Sequence, residues 1–341
     1  MNWKCSLSVL LLAAAPLTVL AADGPYKVSN DWKIGGEGGW DYLTVDPAAH
    51  LLYIARGNRV QIVDTTSGQL KKEIPGLSGV HGVALNPDGK FGYISDGGAN
   101  MIRVFNRDTD EVVASVPAGT NPDGIVFDEP SYKVFAFNGR SKNATVLDAS
   151  TNKVAGSIAL PGKPEFPISD GKGTVFVNIE DTNQIVAIDT KTLAVTHTYS
   201  IAPCESPSGL AFDAAHRRLF AVCDGKKMAV VDADSGKVIA TPPIGDGPDA
   251  AGFDPKHGLA FSSNGEGTLS VIQQKSANDY APLQTVTTER SARTMAFDSS
   301  NGNIYVVSAQ FGPRPAPTEA MPRPRPPVVA GSFHVLVLTR Q

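Results

Sequence analysis

A six-residue phrase recurs along the chain: one polar residue, a run of small or apolar residues, then a closing Asp or Asn. It stands at 41–46, 81–86, 123–128, 165–170, 208–213, 249–254 and 293–298, so seven copies follow one another at intervals of 40 to 44 residues. Between the phrases, β-branched and aromatic residues alternate with polar ones at period two, the pattern of half-buried strands. Clusters of Asp, Asn, Ser and Gly punctuate them, as turns require. The fifth unit is the clearest, with strands predicted at 209–212, 218–222, 228–231 and 237–240. Seven units of about 42 residues with four short strands each predict an all-β fold, a seven-bladed β-propeller with four-stranded blades. The last unit supplies only three strands, at 294–297, 304–307 and 333–338, while 26–35 precedes the first unit as an unassigned strand. Pairing the two predicts a ring closed by an N-terminal outer strand in the last blade, which leaves no exposed sheet edge.

Two segments fall outside the repeat. Residues 1–21 read as a signal peptide, with Lys4, an apolar run over 7–20 and a small-x-small pattern ending at Ala21. Export to the periplasm or beyond is therefore expected, after cleavage near Ala21, with no membrane span and with 22–341 as a single propeller domain. The last blade is interrupted at 310–331 by a proline- and arginine-rich insertion with Pro at 313, 315, 317, 322, 324, 326 and 327, with Arg314, Arg323 and Arg325, and with Glu319 as its one acid. Proline fixes φ and removes donors, so the insertion is expected to be extended polyproline-like chain, serving as a lid or docking arm or as a plain surface excursion. Once Cys5 leaves with the signal peptide, Cys204 and Cys223 remain. In an oxidising compartment an even pair favours a disulfide over two free thiols.

The phrases Val230-Val231-Asp232, 236–240 and 244–248 resemble those of the YVTN-repeat β-propeller family, the YncE-like proteins. That resemblance extends over the whole mature chain. It implies a secreted or periplasmic seven-bladed propeller, often one without an assigned reaction.

A net charge of −4 gives no electrostatic reason to expect nucleic acid as a partner. Candidate chemistry sits at the first position of each phrase, which a propeller would place around one mouth of its channel: Asp41, His81, Asp123, Glu165, Ser208, Asp249 and Arg293. Like charges held together raise one another's pKa unless a cation intervenes, so such a ring takes up a proton, spreads into water or holds a cation. Loops on the same face add Arg56, Asn58, Asp96, Asn138, Arg140, Asn178, Glu180, Asp181, Glu205, Asp224, Asn264 and Glu266, while Trp40 offers an aromatic that stacks on a ligand or packs between blades. A solvated rim with turn-capping acids accounts for the same residues without any ligand.

Two functions are weighed. The favoured one is a monomeric, non-enzymatic binding or scaffold protein that takes an unidentified protein or small-molecule ligand on this face. The alternative is a metal-dependent hydrolase of the lactonase type, with calcium or magnesium held by Glu165, Asp249, Asn138 and Asn178. A Ser208–His81 hydrolase is weaker because no Gly-x-Ser-x-Gly elbow is present. No phosphate loop, Cys-x-x-Cys or dinucleotide fingerprint occurs either.

Overall fold

The period-two segments fold as strands, and each unit assembles them in chain order into one four-stranded antiparallel sheet, giving seven sheets of four. These come from a computed structural model that describes residues 24–318, 321–322, 324 and 326–341. The expected signal peptide, with its cleavage site, lies outside the described residues, as do Glu319, Arg323 and Arg325.

Blade one consists of Leu43–Asp46, Leu51–Ala55, Val60–Asp64 and Leu70–Ile74, and blade five of Leu210–Asp213, Arg218–Cys223, Lys227–Asp232 and Val238–Ala240. The first strands of all seven blades line a central cavity of about 460 Å³. The second and third strands of each blade are almost wholly buried, because blades stack face to face: Phe220 lies on Phe253 at 4.9 Å, and Tyr53 meets Phe105 at 5.9 Å. Outer strands are largely exposed, as in Ala194–Ser200, where Tyr199 alone is buried.

The closing Asp or Asn of each phrase is structural. Asp213 Oδ1 accepts from the amides of Ala215 and His216, Asp254 Oδ1 from Lys256, Asp298 Oδ1 from Ser300 and Asn86 Oδ1 from Asp88. Each carboxylate or amide thus satisfies the turn between the first two strands of its blade. The same device caps the turn after the third strand, where Asp64 Oδ1 accepts from Thr66 and Ser67.

Ring closure uses the N-terminal strand. Tyr26–Lys33 pairs antiparallel with His334–Arg340, from Tyr26 opposite Arg340 to Lys33 opposite His334, and becomes the fourth strand of blade seven. Tyr26 is buried against Phe261 of blade six at 5.2 Å, and its hydroxyl donates to the Gly302 carbonyl. The described residues of the insertion form no regular strand, and the insertion doubles back as an arm. Gly312 N–H donates to Pro327 O at 2.8 Å and Val329 N–H to Gln310 O at 2.8 Å, while Thr318 and Met321 exchange backbone hydrogen bonds near the tip. The ladder runs through the non-proline residues because only they retain the donor. Blade six also departs from expectation: its third and fourth strands, Thr268–Ser276 and Asp279–Thr287, form a hairpin longer than the repeat pattern implies.

Candidate functional site: the channel mouth and its flanking cleft

In blades two to six, the loop after the second strand hydrogen-bonds the loop that leads into the first strand of the same blade. Gly97 N–H donates to Gly79 O, Gly139 N–H to Asn121 O, Glu180 N–H to Lys163 O, Asp224 N–H to Glu205 O and Gly265 N–H to Gly247 O, at 2.7 to 2.9 Å. Both loop sets therefore share one face, and the first residue of each phrase stands at its centre.

That ring is divided into groups, each built around one cationic side chain. His81 Nδ1 lies 2.6 Å from Asp41 Oδ2 and 3.5 Å from Asp123 Oδ1, so one imidazole links two carboxylates. Lys163, which the sequence reading passed over, pairs with both Glu165 and Glu180. Arg293 forms an ion pair with Asp249, its Nε 3.1 Å from Oδ2, and the Ser208 hydroxyl lies 2.8 Å from Asp249 Oδ1. Ser208 thus engages Asp249, while His81 engages the acids on the opposite side; no Ser–His pair forms.

Burial governs the titration of these groups. It pushes Asp41, Asp123, Glu165 and Asp249 above the ordinary carboxylate range. The hydrogen bond and charge of His81 oppose it at Asp41, His81 also opposes it at Asp123, and Lys163 and Arg293 oppose it at Glu165 and Asp249. For His81, burial acts downward, but the hydrogen bond to Asp41 and the charges of Asp123 and Asp41 outweigh it, and the imidazole is raised to about 9. His81 therefore holds its proton at neutral pH, in the position between Asp41 and Asp123.

Beneath the ring the channel is stoppered. Tyr42 crosses it to bring its hydroxyl 3.3 Å from Glu165 Oε2, and its ring meets Phe166 edge-on at 5.0 Å. Burial, followed by the surrounding carboxylates, drives the Tyr42 phenol well above its ordinary value, so it remains a donor. Sequence reading missed Tyr42, although the second position of the phrase carries the signal: Tyr42 and Phe166 are bulky, while Gly82, Gly124, Gly209 and Ala250 are small. Small residues are needed there because neighbouring first strands approach closely. A Cβ on Gly124 would fall 2.3 Å from Glu165 O, and one on Gly209 2.5 Å from Asp249 O.

The outer residues separate into framework and surface. Asn138 is buried, and its amide donates to Asn143 Oδ1 and Thr145 Oγ1. Asn178 is also buried and donates to the carbonyls of Ser208 and Gly209, tying blade four to blade five. Their N–H groups are thus committed to the scaffold, whereas both Oδ1 atoms are buried without a partner among the described residues. Glu165 and Asp249, the two acids considered for a metal, pair with separate cations, Lys163 and Arg293. Asp41, His81 and Asp123 do place one ligand atom each within 4.8 Å of one another, but His81 Nδ1 already carries or shares the proton that links them. Arg140 and Glu205 are exposed on the rim. Cys204 and Cys223 are joined in a disulfide with Cα atoms 5.5 Å apart, which staples the loop carrying Glu205 to the second strand of blade five.

Trp40 packs against Phe333 at 5.3 Å and Phe311 at 5.9 Å, and so joins the blade-one loop to the insertion arm. Beside it opens a cleft of about 1060 Å³, lined by Trp40, Phe311, Val328, Arg290, Arg293 and Arg314, with bare backbone at Gly38, Gly39, Gly247, Gly265 and Gly312. Arg293 is common to the ring and the cleft. Behind the aromatic wall lies Arg56, fully buried, with its guanidinium 3.6 Å above the Phe333 ring. Its Nη2 donates to Glu37 O, whereas Nε and Nη1 have no partner among the described residues.

These features define a seven-bladed β-propeller with an elaborated mouth. No family model matches the chain. No curated protein sequence matches it either. Solved structures do resemble it. Hydrazine synthase of Kuenenia stuttgartiensis superposes with a TM-score of 0.69 at 16% identity, covering 86% of this chain and 96% of that one. The U3-55K structure superposes with a TM-score of 0.74 at 10% identity, covering 92% and 98%. At such identities the likeness extends to the propeller fold alone.

Proposed function

We propose that this protein is an exported propeller of the YVTN-repeat kind that captures a ligand or protein partner on its mouth face, and that it acts by binding rather than by catalysis. The observation that carries this reading is the cleft built beside the mouth by the insertion arm, a recess that the repeat alone does not require. Functional residues gather on loops held by a rigid scaffold, and this face has both the loops and the scaffold. Binding is favoured over a serine-type hydrolysis because Ser208 engages Asp249 and not His81, leaving that pair without a nucleophile–base contact.

Capture from periplasmic extract tests the reading, using the intact protein, a variant lacking 313–327 and the Glu165→Ala/Asp249→Ala double variant. Loss of a reproducible partner on removal of the arm is expected. Retention of that partner by both variants would show the face to be a solvated rim. The proposed export is tested separately by sequencing the mature N-terminus, which is expected to follow Ala21.

A further inference from the structure

We propose that the cleft between the insertion arm and the loops of blades six and seven binds small organic anions that carry a flat aromatic ring, held by the guanidinium groups of Arg290, Arg293 and Arg314 and by the rings of Trp40 and Phe311. This names a ligand class for the mouth face and rests on the reading that this face binds.

Size is the first support. About 1060 Å³ lies just above the range of small-molecule pockets, roughly 300 to 1,000 Å³, and so leaves room for a bicyclic ligand with its hydration. Charge is the second. Three arginines line one recess, and among the described residues only Arg293 has a carboxylate partner, Asp249. The neighbouring Glu289 carboxylate turns instead to His334 Nε2 at 3.1 Å. Arg56 adds a fourth positive charge behind the wall; burial lowers its pKa, but only to about 10, so it stays protonated at neutral pH. Guanidinium groups bind carboxylate and phosphate through paired N–H donors, and a low-dielectric wall strengthens that attraction.

Shape supplies the apolar half. Phe311 is an exposed aromatic, and it extends the tilted Phe333–Trp40 cluster to the edge of the recess. A flat ring laid against it would extend an aromatic cluster whose buried end is the Arg56 cation, an arrangement that favours aromatic and cation–π contact. Gly39 leaves the floor open, since a Cβ built there meets nothing within 4 Å.

The test is calorimetric titration of the full mature protein with naphthoate, naphthyl phosphate and uncharged naphthalenemethanol. Both anions are expected to bind saturably and at least about ten-fold more tightly than the alcohol. A preference for either anion supports the proposal and identifies the headgroup. Arg290→Gln/Arg314→Gln is expected to weaken both anions by about ten-fold or more without changing alcohol binding. Gly39→Phe, which fills open space, is expected to abolish binding of all three with the thermal melt unchanged. The proposal is overturned if neither anion binds, if the alcohol binds as tightly as the anions, or if the double arginine variant keeps its affinity. Should it fall while partner capture still requires 313–327, the binding role of the face survives without this ligand class.

Discussion

Tyr42 is the side chain on which the central architecture turns, since it closes the channel and reaches from blade one to Glu165 of blade four. Tyr42→Ala should therefore cost about 3 kcal/mol or more, as expected for emptying a buried aromatic site, whereas Tyr42→Phe removes one hydrogen bond and should cost about 1 kcal/mol. Denaturant unfolding measures both, and equal losses would contradict a packing role for the ring. His81 gives the mouth its pH response. Its folded pKa, about 9, lies above its unfolded value, so its stabilising contribution is complete below the ordinary histidine range and is lost as pH rises through about 9. The raised carboxyls Asp41, Asp123, Glu165 and Asp249 act in the same direction, being favourable when protonated and unfavourable as pH rises past their folded values. The melting temperature should thus fall on going from neutral to alkaline pH, and less steeply in His81→Ala. If His81 itself titrates by NMR in the ordinary histidine range, the Asp41–His81–Asp123 pairing is refuted.

Two elements hold the ring at its seams. The strand Tyr26–Lys33 supplies the outer edge of blade seven, and its removal would expose the edge of His334–Arg340. Deletion of 24–33 should lower the melting temperature and convert a monodisperse protein into higher species on gel filtration, because an unpaired edge templates association. An unchanged melt and elution profile would mean that the closure contributes little. In blade five, the Cys204–Cys223 bond closes a segment with a sequence separation of 19. Loop-closure entropy for a link of that size is worth about 3 kcal/mol, so Cys204→Ser/Cys223→Ser should lose a comparable amount in chemical denaturation. The insertion arm is the converse case. It contributes few strand pairs, and removing 313–327 should leave the melting temperature within a few degrees of wild type while opening the cleft.

For the molecule as a whole, each acid of the ring already has a basic partner, so millimolar calcium or magnesium should leave the melting temperature unchanged, as should a chelator. A rise of several degrees with either ion would restore the metal-assisted alternative. Much of this architecture was legible beforehand. The spacing of seven Asp or Asn anchors gave the blade count, and the unassigned strand near the N-terminus gave the closure, because both depend on local turn chemistry and period-two burial that any stretch of chain displays. The face on which ring residues gather was equally legible from strand direction. Their partners were not. Lys163 lies two residues before Glu165 but is tied to Glu180 through a neighbouring loop, and Tyr42 meets a residue 123 positions away; only the closed ring sets such distances. The cleft was hidden for the same reason, since Trp40, Arg293 and Phe311 come from three separated stretches. Sequence alone determined what repeats, because each blade solves the same local problem of alternation and turning. Tertiary structure decided what differs between blades, because pairing, burial and proton affinity arise only where the seven units converge on one axis.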